Sequence, residues 1–90
     1  MTSGKWTVVA DSRASQDLKK LRRRHHPALP DLIEAIDSLG LQPYAGKPLK
    51  GDKHGSHSLR VGDFRIIFDL YPAERAVHLI RIGDRKDIYR

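Results

Sequence analysis

Two arginines flank a glycine–aspartate pair in the stretch SLRVGDFRIIF, residues 58–68. A two-residue hairpin turn that starts with glycine is typical of type II′, and it fixes the strand register by counting. Arg60 then faces Arg65 across two strands, where like charges repel each other. A bound anion would turn that repulsion into attraction, because the guanidinium fork matches phosphate oxygens. The pair therefore indicates either a phosphate site or two solvated arginines that Asp69 or the C-terminal carboxylate partly neutralises.

The same register divides the predicted hairpin into two faces, because side chains alternate sides along a strand. In it Val61 faces Phe64, Leu59 faces Ile66 and Ser58 faces Ile67. The face expected to pack on a core carries the apolar residues Leu59, Val61, Phe64, Ile66, Phe68 and Leu70. The opposite face carries Ser56, Ser58, Arg60, Arg65, Ile67 and Asp69.

The rest of the chain must supply the elements that position this hairpin. Apolar residues at helical and at strand spacing predict a strand at 5–10, helices at 11–24 and 30–40, and strands at 56–61, 64–70 and 76–82. Pro27 and Pro30 separate the helices, and Gly40 is expected to cap the second one. The segment 41–55 is rich in glycine and proline and predicts a loop. We expect a single α+β domain over residues 1–90, a two-helix hairpin packed on an antiparallel sheet in the order β-α-α-β-β-β.

Composition narrows the class of protein. The 90 residues include 17 Lys and Arg against 11 Asp and Glu, a net charge of +6 that favours polyanion partners such as RNA, DNA or an acidic protein. There is no cysteine, which excludes disulfides and cysteine zinc sites. No apolar run resembles a signal peptide or a membrane span, so we expect a cytoplasmic protein with no membrane partner.

Five histidines raise the question of a metal site. His54 and His57 are three residues apart in a glycine-containing loop, and no carboxylate or cysteine completes a ligand set. We therefore expect no metal and no cofactor. The basic run at 19–26, KKLRRRHH, indicates a solvated helix face, with contact to RNA phosphates or an acidic protein segment as the alternative.

Three stretches together resemble the RelE/ParE toxin superfamily of bacterial type II toxin–antitoxin systems. They are GKPLKGD before the hairpin, LRVGDFRIIFDL across it and IRIGDRKDIYR at the end of the chain. The resemblance covers nearly the whole chain in element order. It implies a fold like that of compact microbial ribonucleases and a RelE-type activity, in which messenger RNA is cut on the ribosome with the substrate's 2′-hydroxyl as nucleophile.

The resemblance also assigns roles to individual residues. Arg65 and Arg85 match arginines expected to stabilise the phosphate, and Arg60 matches a basic position that helps hold it. Tyr89 matches a C-terminal tyrosine expected to transfer a proton or to stack on a base.

The chain departs from the RelE pattern on the strand before the turn. Ser56 and Ser58 stand where well-known RelE proteins carry lysines, and a serine supplies no positive charge. The nearby residues that could replace those lysines in acid–base or RNA-binding roles are Lys50, Lys53 and His54. His57 is a poorer candidate, because the predicted register points it to the core face.

The resemblance implies several activities and partners. The favoured one is a cofactor-independent, ribosome-dependent endoribonuclease that inhibits translation and is neutralised by a cognate antitoxin. One alternative is a ParE-like inhibitor of DNA gyrase, which the missing lysines favour. Another is a non-toxic antitoxin-binding protein of the same fold. Operator DNA is expected as a partner only through the antitoxin complex.

Overall fold

The structure is a computed structural model that describes residues 4–49 and 56–84. The elements in chain order are β1 (Thr7–Ala10), α1 (Ser12–Arg23), α2 (Leu29–Leu41), β2 (Lys47–Pro48), β3 (Ser56–Val61), β4 (Phe64–Tyr71), a 3-10 turn (Pro72–Glu74) and β5 (Ala76–Asp84). The predicted α+β fold is confirmed, with two helices packed on a sheet. No helix in the described ranges has the length and apolar character needed to span a membrane.

The first helix begins and ends as its sequence predicts. The Asp11 side chain accepts a hydrogen bond from the Ala14 backbone N–H at 2.9 Å, which satisfies a donor that the first turn leaves unpaired. Lys20, Arg22 and Arg23 lie in the last turn, where the helix dipole favours cations.

The second helix corrects the prediction that Gly40 is a C-terminal cap. The helix runs through Gly40 to Leu41, and Gly40 is buried. A Cβ atom there would lie 2.9 Å from the Trp6 carbonyl oxygen, and the Trp6 N–H donates to the Gly40 carbonyl at 2.6 Å. Gly40 is thus needed for the close approach between α2 and the residues before β1.

The five strands form one sheet in the order β1-β5-β4-β3-β2. The pairs among β2, β3, β4 and β5 are antiparallel, whereas β1 lies parallel to β5. Strand β2 is a correction, because it lies in the segment predicted to be a loop. Lys47 pairs with Ser58, and the Leu49 N–H donates to the Ser56 carbonyl at 2.9 Å, so a short stretch of this segment extends the sheet beyond β3.

The predicted hairpin register is confirmed at every pair named above. Arg60 lies opposite Arg65, and Ser58 lies opposite Ile67. Gly62 has a φ of 60°. Among described non-glycine residues, positive φ angles occur at His25 and Arg75 alone, so Asp63 has a negative φ. This combination has the signs of a type II′ turn.

The core lies between the two helices and the inner face of the sheet, the face that the helices cover. Its most deeply buried side chains are Phe68, Leu32, Leu39, Ile66, Leu79, Ile82 and Val77. The apolar hairpin face contributes to this core as predicted. On the other side, here called the outer face, Ile67 is also buried, with 8% of its surface exposed.

A carboxylate from α1 secures β5 where β1 no longer pairs with it. The β1–β5 register ends at Ala10 and Leu79, and the pairing of β4 with β5 shifts between Ile67 and Phe68. Beyond that point one Asp17 carboxylate oxygen accepts from Arg81 Nε at 3.0 Å and from the Ile82 N–H at 2.8 Å. Asp17 therefore satisfies a backbone donor at the edge of β5.

Candidate functional site

The Arg60–Arg65 pair lies on the outer face of the sheet at the turn end of the hairpin. Arg60 is exposed, and its Nε donates to the Gly62 carbonyl at 3.2 Å, which ties its side chain to the turn. Arg65 is half-buried, its Nε atom is buried, and its terminal nitrogen donates to Ser58 Oγ at 3.3 Å. Two guanidinium groups are therefore held on neighbouring strands, one fixed by the turn and the other by a buried hydroxyl.

A surface pocket of about 370 Å³ opens beside this pair, between β2 and the hairpin. Its described lining includes three cations, Lys47, Arg60 and Arg65, and no acidic residue. We call these three residues the cationic pocket. Convergent cations without a carboxylate are suited to a polyanion such as phosphate, since the guanidinium group offers several donors in one plane.

Sequence reasoning missed Lys47. The residue lies on β2 opposite Ser58, which brings it to the side of the sheet that carries the arginine pair. A two-residue strand has too little periodicity to be found by pattern. A local sign is Gly46, where a Cβ atom would lie 2.8 Å from the Phe68 ring and 2.8 Å from the Ser58 carbonyl oxygen. A glycine in a strand-forming segment is typical of such close backbone approach.

The two serines expected at the RelE lysine positions both make hydrogen bonds. Ser58 is buried and accepts from Arg65, so it orients a cation of the pocket. The Ser56 hydroxyl donates to the Asp69 carboxylate at 2.6 Å. Both serines thus support their neighbours, and neither adds positive charge to the outer face.

The described histidines nearest the hairpin occupy opposite faces of the sheet. His57 stacks on the core residue Phe68, with ring centroids 5.6 Å apart and planes inclined by 20°, which confirms its predicted orientation. His78 pairs with Asp69 in the β4–β5 register and contacts the Tyr71 ring. Among the described residues that line the cationic pocket, none is a histidine or a carboxylate. The pocket can therefore bind an anion, while proton transfer needs a group from elsewhere.

The other predicted site residues, Lys50, Lys53, His54, Arg85 and Tyr89, lie outside the described residues. The structure brings together Arg60, Arg65 and the unpredicted Lys47. The last described strand ends nearby, because Gly83 pairs with Arg65 and Asp84 pairs with Phe64.

The described histidines and carboxylates do not cluster as metal ligands. Within residues 4–49 and 56–84, no group of three or more histidine, aspartate or glutamate side chains is placed to hold a metal ion.

The amino-acid sequence of the chain is similar to those of known proteins. The family model described as the ParE toxin of type II toxin–antitoxin system, parDE, matches residues 8–89. Toxin RelE of Mycobacterium tuberculosis is 31% identical over 84 residues, covering 92% of this chain and 84% of the relative. Toxin RelG of the same organism is 33% identical over 86 residues, covering 94% of this chain and 97% of the relative.

Structural comparison agrees with the sequence. The toxin–antitoxin complex RelBE2 from Mycobacterium tuberculosis contains a chain with a TM-score of 0.78 and 27% identity, covering 96% of this chain and 98% of that chain. In the archaeal RelE–RelB complex from Pyrococcus horikoshii OT3, a chain matches with a TM-score of 0.73. Its identity is 17%, and it covers 92% of this chain and 98% of that chain, so it supports the fold alone.

Proposed function

The chain belongs to the RelE/ParE toxin superfamily of type II toxin–antitoxin systems, and on this premise we propose that it is a ribosome-dependent endoribonuclease that cleaves messenger RNA. The two sequence relatives that are 31% and 33% identical both carry the name of Rel toxins. The substrate is then single-stranded messenger RNA in a translating ribosome, and its cleavage inhibits translation.

One observation carries the proposal, the convergence of Lys47, Arg60 and Arg65 on a pocket whose described lining contains no acid. Cleavage by an internal 2′-hydroxyl places additional negative charge on the oxygens around phosphorus in the transition state. Donors fixed in advance around that charge stabilise it more than mobile ones do. Both arginines of the pocket are held in this way, by Gly62 and by Ser58.

The proposed reaction needs proton transfer as well as a phosphate grip. A base removes the proton of the 2′-hydroxyl as its oxygen attacks the adjacent phosphorus, and an acid protonates the departing 5′-oxygen. The products are a 2′,3′-cyclic phosphate and a free 5′-hydroxyl, and no cofactor takes part. Arg85 adds to the cationic charge, and Tyr89, Lys53 and His54 are the proposed proton carriers, with Lys50 binding RNA.

A cognate antitoxin is the proposed protein partner. Chains similar to this one come from two structures of complexes. One is described as the toxin–antitoxin complex RelBE2 and the other as an archaeal RelE–RelB complex. An acidic or amphipathic segment would neutralise this chain by covering its basic surface. Contact with operator DNA would then belong mainly to the antitoxin.

Inhibition of DNA gyrase is the second candidate, and two observations favour it. The matching family model is that of ParE toxins. The RelE lysine positions hold Ser56 and Ser58, which are engaged with Asp69 and Arg65. A gyrase inhibitor would use the same fold as a binding surface and leave messenger RNA intact.

One experiment in cells separates these activities. The protein is induced briefly, and messenger RNA 5′ ends are mapped together with plasmid supercoiling. We expect new 5′ ends within translated codons for the wild type and their loss in the double variant Arg60→Gln/Arg65→Gln. The matched control Lys5→Gln/Arg13→Gln removes the same charge from exposed positions away from the cationic pocket and should keep cleaving.

Two other outcomes of this experiment would overturn the proposed nuclease. Intact transcripts together with altered supercoiling would replace the proposal with the gyrase candidate. Neither effect, with growth unchanged, would assign the chain to the non-toxic antitoxin-binding class.

A further inference from the structure

A second feature of the outer face consists of aromatic rings and lies toward the other end of β4 from the cationic pocket. Tyr71, at the end of β4, is 41% exposed. Its ring centroid lies 4.5 Å from that of His78 on β5, with the planes tilted by 53°. Val9 on β1 pairs with His78 and is 44% exposed. Three neighbouring strands thus present apolar surface to solvent on the face that carries Arg60 and Arg65.

The core does not account for these rings. Side chains alternate along β4, so Leu70 points inward, while Tyr71 lies on the outer face with Arg65 and Asp69. Exposed aromatic side chains on an open sheet are the usual means by which proteins bind single-stranded RNA, because a ring stacks on any nucleobase.

The position of the rings relative to the arginine pair suits a polynucleotide. His78 pairs with Asp69, four residues along β4 from Arg65, and Tyr71 lies six residues along it, so the rings lie about 13 to 20 Å from the arginine pair at ~3.3 Å per residue. That distance corresponds to a strand of RNA a few nucleotides long. Beside the rings, at the register position opposite His78, lies the Asp69 carboxylate, which is hydrogen-bonded to Ser56.

The order of positive and negative side chains along the outer face favours one orientation of a bound RNA strand. Arg60 and Arg65 attract one phosphate of the RNA. The Asp69 carboxylate repels the phosphates that follow, so it favours an RNA backbone that is turned toward solvent. A strand in that orientation presents its bases to the sheet, where the rings of Tyr71 and His78 lie. Phosphate contacts position a strand, and base contacts give sequence preference.

We infer that Tyr71 and His78 form a base-stacking platform for single-stranded RNA, a subsite a few nucleotides from the phosphate bound by Arg60 and Arg65. The inference rests on the proposed function and extends it to substrate preference. A purine stacks over a larger area than a pyrimidine, so the platform favours a purine at the position that it contacts.

The test measures kcat and KM for cleavage of a defined messenger RNA on purified ribosomes, with purine or pyrimidine placed at each position near the cut. Tyr71→Ala should raise KM about tenfold, since one base stack contributes on that order, and should abolish the purine preference with kcat nearly unchanged. Tyr71→Phe keeps the ring and should behave as the wild type. Tyr71→Leu keeps apolar bulk against His78 but has no ring face, so it should resemble Tyr71→Ala.

Tyr44→Ala is the matched control, because Tyr44 is 64% exposed and contacts Trp6 instead of the platform. Unchanged KM and base preference in Tyr71→Ala would overturn the platform and leave the proposed nuclease standing. Weaker neutralisation by the antitoxin with unchanged KM would assign the rings to a protein partner and overturn it as well. A wild type that cleaves no messenger RNA would refute the proposed function itself.

Discussion

The two faces of β4 come from the same eight residues and have opposite properties. The inner residues Phe64, Ile66 and Phe68 are buried in the core under the helices. The outer residues Arg65 and Asp69 are half-buried and polar, and each is hydrogen-bonded to a serine of β3. Alternation along a single strand therefore places core residues on one side and hydrogen-bonded polar residues on the other.

The contrast between the two faces predicts which substitutions should unfold the protein and which should only inactivate it. Burial of apolar surface stabilises the inner face, whereas the opposed arginines of the outer face repel each other. The Arg60–Arg65 pair is thus a cost to folding that an anionic ligand would offset. Substitutions on the two faces can test this division.

The largest effect on stability is expected from Phe68→Ala. Phe68 is fully buried, stacks against His57 and contacts the closely approaching Gly46. Removal of the ring leaves a cavity and should lower the free energy of unfolding by about 3–5 kcal/mol, as measured by urea denaturation. A loss below about 1 kcal/mol would show that the inner face does not dominate stability.

Asp17→Ala extends the comparison to a polar group on the helical side. The substitution removes the acceptor of Arg81 Nε and of the Ile82 N–H. Leaving a part-buried donor without its acceptor should cost about 1–3 kcal/mol in the free energy of unfolding. Asp17→Asn retains a carbonyl acceptor and should lose less, so equal losses in both variants would mean that charge alone matters at this position.

Gly62→Ala tests the turn that sets both faces in register. The positive φ of Gly62 is strained for any residue with a Cβ atom, and we expect a loss of about 1 kcal/mol in the free energy of unfolding. Gly4→Ala is the control, because a Cβ atom at Gly4 meets nothing within 4 Å. Equal stability of the two variants in a denaturant titration would contradict the assigned turn.

The smallest and most diagnostic effect on stability is that of Arg60→Gln. Relief of the cross-strand repulsion should raise the free energy of unfolding by about 0.2–1 kcal/mol, while cleavage activity falls. In an Arg65→Gln background the same substitution should give no gain, because the opposing charge is already gone. Additive effects in this double-mutant cycle would show that the two guanidinium groups do not interact.

The part of the fold that follows from local rules could be predicted from the sequence. A two-residue turn and strict alternation determine the hairpin, so the Arg60–Arg65 pairing and the inward position of His57 were correct. Contacts between distant segments follow no local pattern. Strand β2 with Lys47, the close approach at Gly40 and the parallel β1–β5 pair each depend on where separate parts of the chain meet.

Only part of the candidate site could be predicted from the sequence. Arg60 and Arg65 follow from the register, whereas the burial of Ser58 beneath Arg65 depends on how the outer face is covered. The roles of Arg85, Tyr89, Lys50, Lys53 and His54 stay predictions. They derive from resemblance and lie outside the described residues.

The proposed nuclease depends on the outer face binding the phosphate at which messenger RNA is cut. Single-turnover cleavage on purified ribosomes, with the free energy of unfolding measured on the same preparations, tests it most directly for the wild type, Arg65→Gln and the exposed control Arg13→Gln. We expect Arg65→Gln to cleave about 10²–10³-fold more slowly with a free energy of unfolding within about 1 kcal/mol of the wild type, while Arg13→Gln cleaves normally. Cleavage by Arg65→Gln at the rate of the wild type would show that this guanidinium group does not stabilise the reacting phosphate.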